Sequence, residues 1–172
     1  LAAVLVERAA LEARHGALDV ARDTAKEALE LARSAGLATE LIGAHLRLAE
    51  LVEPAEADVH LEAALTRAEE TRLLPLQVAA GQALGRRRLA SGRVGSARAL
   101  FERSAAGIEL LRSSLAHEAL LGNFLHDKAA TYVGLIECEL ATPGVDHGER
   151  VLAAMERASA RSLDELAAGL VH

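Results

Sequence analysis

Seven histidines, one cysteine and a short glycine-bearing turn are the groups in this 172-residue chain best equipped to do chemistry. A helix-borne metal pair needs its ligands three or four residues apart, so that both project from one face. His15, His45, His60, His117, His126, His147 and His172 show no such spacing with one another. His126 is followed by Asp127 in a helical pattern, but adjacent helix residues face different ways, and Asp146-His147 falls in a loop pattern. No metal and no cofactor is expected. Cys138, the single cysteine, excludes an internal disulfide and lies in an apolar helical run. There it reads as a small buried hydrophobe, since a nucleophile needs a neighbouring base. Gly92-Arg93-Val94-Gly95 lacks the following Lys-Ser/Thr and the preceding strand of a phosphate loop, so it reads as a turn. No Gly-x-Ser-x-Gly elbow and no His-Glu-x-x-His occurs. The expected catalytic set is empty, and the chain reads as a non-enzyme.

The elements that must carry these residues are helices. Apolar residues make up 51% of the chain and aromatics only 2%, so the core must be built from alanine and leucine, both strong helix formers. Val and Ile never alternate over a strand length, and only three prolines interrupt the chain. The expected fold is all-α. A net charge of −6 disfavours direct nucleic-acid binding, which usually requires a basic face. Arg86, Arg87 and Arg88 are dense in sequence, but consecutive helix residues diverge by about 100° and make no single patch. No apolar run reaches membrane-spanning length and no leader pattern opens the chain, so a cytoplasmic location is expected.

A repeat organises the helices. Ala21, Ala25 and Ala28, then Ala57, Leu61 and Ala64, then Ala97, Phe101 and Ser104 share one spacing, with copies 36 and 40 residues apart. The offsets i, i+4, i+7 put each trio on one helix face, where small side chains admit a close neighbour. The expected helices are 1–14 and 19–34, 37–52 and 56–72, 76–90 and 94–112, then 117–140 and 148–170. Gly16, Gly36 and Gly92 mark the turns, Pro54 opens a helix, and Pro143-Gly144 breaks one. Asp19 is placed to cap the second helix or favour its N-terminus. Gly85, in mid-helix, marks a crossing too close for a side chain. The units are about 1–36, 37–74, 75–114 and 115–172, stacked as one repeat domain.

Helix, glycine turn, helix, with those small residues, resembles the tetratricopeptide repeat over residues 1 to about 110. Ala9 and Gly85 stand at the family's small-residue position of the first helix. In the second unit strict counting puts His45 there, and a one-residue loop change would bring in Ala44 or Gly43. The C-terminal third is similar to the segment joining tetratricopeptide arrays to caspase-like CHAT domains. It has Phe124 to Lys128, Tyr132 to Ile136, and Glu156, Arg157, Ala158, Arg161, Leu163 and Leu166, with Ser159 and Ala160 where Lys and Ser are usual. The resemblance implies a right-handed α-α superhelix of about four helix pairs. It also implies a protein-protein interaction scaffold or sensor regulating an adjacent protease-like domain beyond this chain, which reads as an excerpt of a longer, bacterial one. Family practice places a partner groove on the first helices, with Glu12, Arg47, Arg87 and Asn123 as contact residues and a protein or peptide as partner. Repeat packing falls to Ala21, Ala28, Ala57, Ala64, Gly85 and Ala97. Exposed terminal repeats would allow a homodimer. The alternative function is the helical sensor arm of a multidomain bacterial transcription regulator.

Overall fold

The computed structural model describes residues 1–114, 129–142, 144, 146 and 148–156. Among these the chain is all-helical, without a strand. The helices are α1 (Ala2–Arg14), α2 (Leu18–Ser34), α3 (Ala38–Leu51), α4 (Pro54–Glu70), α5 (Leu74–Ala90), α6 (Val94–Ser114) and α7 (Ala129–Leu140), and 148–156 is helical as well. The expected helix start at residue 117, the motif at 124–128 and the expected helix end beyond 156 lie outside the described residues. No described helix is long and apolar enough to cross a membrane.

Local chemistry accounts for the breaks. Four helices end on one hydrogen-bond pattern, in which a residue with positive φ reverses the chain and the next amide bonds back five residues. Ala17 N donates to Glu12 O (2.9 Å), Leu37 N to Ala32 O (2.9 Å), Leu73 N to Ala68 O (3.0 Å) and Arg93 N to Arg88 O (2.8 Å). The left-handed residues are Gly16 (φ 81°), Gly36 (φ 67°), Arg72 (φ 55°) and Gly92 (φ 75°). Arg72 carried no glycine signal in the sequence; it fills the same position and bears the strain of a Cβ there. The α3–α4 turn differs: Val52 and Glu53 are extended and Pro54 occupies the first turn of α4, where its missing N–H costs nothing. Helix α5 begins at Leu74 rather than residue 76, because Pro75 is tolerated in a first turn. Asp19 does not cap α2. Ala17 is the N-cap residue, and Asp19 lies in the first turn, 3.1 Å from Arg22 Nη1.

The chain divides into two compact units, Leu1–Leu84 and Gly85–His172. In the first, α1 and α2 pair, α3 lies against both, and α4 packs on α3. Leu5, Ala9, Ala21, Ala25, Ala28, Leu29, Ala44, Leu48 and Leu51 form one core; Ile42, Ala64, Ala68 and Ala80 form the next. In the second unit α6 packs on α7 around Ala97, Phe101, Leu135 and Cys138. All nine residues of the three trios are buried. For the six alanines among them the reason is shared: an alanine buries its methyl without side-chain entropy cost and lets backbones approach.

Candidate functional site

The residues expected to line a groove divide among different surroundings. Glu12, on α1, is tied across to α2. Its Oε2 accepts from Thr24 Oγ1 at 2.7 Å and its Oε1 from Arg8 Nε at 2.6 Å. The Thr24 bond, with Arg8 adding to it against an opposing burial effect, holds this carboxyl below its ordinary 4.5. Arg47, half-buried on α3, is paired with Glu50 through Nη1, while its Nε is buried without a hydrogen bond. On α3 only Thr39 and Glu50 are exposed, because that helix is flanked by α1, α2 and α4. Arg87 is half-buried on α5 and belongs to the second unit. Asn123 lies outside the described residues.

The repeat-packing residues sit in the interiors. Ala21, Ala28, Ala57, Ala64 and Ala97 are all 0% exposed. A Cβ on Gly85 would come 2.9 Å from Phe101 Cε1, so α5 and α6 approach to ring contact there. Ala44 is fully buried in the α1–α2–α3 core, and Gly43 faces Val6, with a built Cβ 3.6 Å from Val6 Cγ1.

Three polar constellations were not visible in the sequence. The first joins His45 of α3 to His60 of α4, with Nδ1 to Nδ1 at 2.9 Å and ring centroids 5.2 Å apart at 47°. Fifteen residues and a turn separate them, so helix periodicity cannot pair them. His45 is pushed down to about 4, first by burial and then by the charges of His60 and Arg33. Glu56 Oε1 lies 3.8 Å from His60 Nε2, on the ring's other nitrogen. The arrangement can share a proton between two imidazoles. Among the described residues no group of three or more His, Cys, Asp or Glu is arranged to hold a metal ion.

The second constellation is centred on Glu139, mostly buried on α7. Its Oε2 receives Arg98 Nη2 of α6 at 3.1 Å and Arg150 Nε at 3.0 Å. Arg150 Nη2 also donates to Thr142 O (2.9 Å), and Thr142 Oγ1 to Cys138 O (2.8 Å). One carboxylate thus ties α6, α7 and 148–156 together. Cys138 is buried against this network, and burial raises its thiol above the ordinary 9.0, opposite to what a nucleophile requires. In the third, Tyr132 Oη donates to Glu109 Oε1 at 2.9 Å, linking α7 to α6.

Among the described residues several surface charges form short-range pairs along single helices, such as Arg33 with Glu30 (2.7 Å) and Arg67 with Glu70 (3.0 Å). Such pairs contribute about 0.2–0.5 kcal/mol each and solubilise a face rather than build a site. Comparison with protein-family models, with curated proteins and with solved structures gives no match for this chain.

Proposed function

We propose that this chain is a non-enzymatic protein-binding module, a tetratricopeptide-like repeat array that engages a peptide or protein segment and regulates an adjacent CHAT-type domain. The observation that carries the reading is recurrence: the same buried trio on α2, α4 and α6, and the same left-handed reversal at residues 16, 36, 72 and 92. Repeated helix pairs present side-by-side helices, and such surfaces serve recognition better than catalysis. In the first unit α1 lies against α3, which brings Glu12 and Arg47 onto neighbouring helices. A partner would be held by the polar groups of these helices, with the Arg47 guanidinium, partly exposed and paired only with the exposed Glu50, as the leading contact. The C-terminal resemblance supplies the effector part of the proposal, through Tyr132 to Ile136 and Glu156.

The test is selection of a displayed random-peptide library against the whole chain, followed by mapping of bound peptides by amide chemical-shift changes. Enriched peptides that perturb α1 and α3, and that bind at least tenfold more weakly to Arg47→Glu at unchanged helical content, would support the module. Absence of enrichment, or shifts confined to other helices, would overturn it.

A further inference from the structure

We propose that the His45–His60 contact is a proton-sensitive latch between α3 and α4: closed while the facing nitrogens share one proton, and loosened when both rings are charged. The geometry demands this. Two Nδ1 atoms at 2.9 Å form a hydrogen bond only if one carries a proton and the other offers its lone pair. With both rings cationic, each Nδ1 is a donor, the bond is lost, and two hydrogens confront each other across the helix crossing.

The surroundings determine how that conflict is relieved. Arg33 of α2, itself paired with Glu30, adds a smaller positive contribution after burial and the charge of His60. Glu56, one turn before His60 on α4, is the carboxylate near the pair, but it faces His60 Nε2 at 3.8 Å and not the contested nitrogens. It favours the His60 tautomer with Nε2–H outward, which leaves Nδ1 free to accept from His45. Both rings are half-buried, so water does not fully screen the repulsion. Relief comes from a local shift at the α3–α4 contact, since α3 is also held by α1 and α2 and α4 by Gln77 Nε2 of α5, which donates to Ala68 O. That shift would loosen Ile42, Ala64 and Ala68, which form one core with Ala80 of α5. A metal clip is the other use of paired imidazoles, but no third ligand joins these two among the described residues.

The sign follows from linkage. A ring with a lowered folded-state pKa binds fewer protons folded than unfolded, so stability is full above the ordinary 6.5 and falls as pH drops toward about 4. Between pH 7 and about pH 4.5 this one group is expected to lower the folded-to-unfolded ratio by about 10- to 50-fold.

The experiment compares urea unfolding of the whole chain and of His45→Gln across this range, with ring-carbon NMR titration of the unsubstituted protein. Glutamine keeps a hydrogen-bonding side chain but does not titrate. The variant should lose a tenfold or larger part of the acid sensitivity, the His45 ring of the parent should titrate well below its ordinary 6.5, and α4 amides should exchange faster in the same window. If His45 titrates at its ordinary position, if α4 amide exchange does not change across the window, or if the variant is as acid-sensitive as the parent, the latch does not exist. If His45→Gln does not fold, the titration and amide exchange of the parent decide alone.

Discussion

Gly134→Ala examines how closely α7 lies on Phe101. A Cβ built on Gly134 would fall 2.4 Å from Phe101 Cζ and 2.6 Å from both Cε atoms. The ring is fully buried and cannot turn away, and its Cε1 edge already meets Gly85 of α5, where a Cβ would stand only 2.9 Å off. Relief must therefore come from backbone movement of α7. Overpacking of this kind costs about 1–3 kcal/mol, and the upper end applies because every close atom belongs to one confined ring. Alanine regains about 1 kcal/mol of helix propensity. The net expectation is a loss of about 2 kcal/mol and a melting point about 4–8 °C lower. Urea unfolding followed by far-UV circular dichroism, and by fluorescence of Tyr132, the single tyrosine, would measure it within the unit that contains the change. Phe101→Leu removes the contacting edge, so the two substitutions together should be less harmful than their sum by about 1 kcal/mol or more. Gly95→Ala, which meets open space in the first turn of α6, is the control and should be neutral or slightly stabilising. A neutral or stabilising Gly134→Ala, or strict additivity with Phe101→Leu, would refute the three-helix contact.

Two further substitutions probe the turns and the second unit. Arg72→Gly relieves a left-handed side-chain-bearing residue at φ 55° and should stabilise by about 1 kcal/mol, read as a higher urea midpoint at constant slope; Gly92→Ala, at φ 75°, should do the reverse. Glu139→Gln leaves Arg98 and Arg150 without their shared carboxylate and should cost about 2 kcal/mol, with faster amide exchange in 148–156; Glu139→Asp, shorter by one methylene, should not restore it.

Much of the local architecture was legible before any coordinates. The Ala/Leu supply without strand-forming runs called for helices, and helices are what the described residues form. Gly16, Gly36 and Gly92 marked their reversals because only glycine adopts positive φ without penalty. Arg72 escaped notice for the same reason: its conformation is imposed by the hydrogen bonds of Leu73 and the packing of Leu73 and Leu76, not by its own preference. The candidate site was far less legible. Glu12 and Arg47 could be assigned to first helices by spacing, but not that Thr24 and Glu50 already engage them.

The sequence by itself determined which faces are buried, since a 3.6-residue period and side-chain size are properties of the chain alone. The i, i+4, i+7 trios, the helix ends at glycine and the solvated Arg–Glu pairs all follow from interactions within about four residues. Only tertiary structure decided which distant polar groups meet. His45 with His60, Glu139 with Arg98 and Arg150, and the ring of Phe101 under both Gly85 and Gly134 each depend on the axial register and rotation of one helix on another. That register is fixed by how ridges of small side chains seat in facing grooves, a sum of many weak contacts that no local spacing encodes.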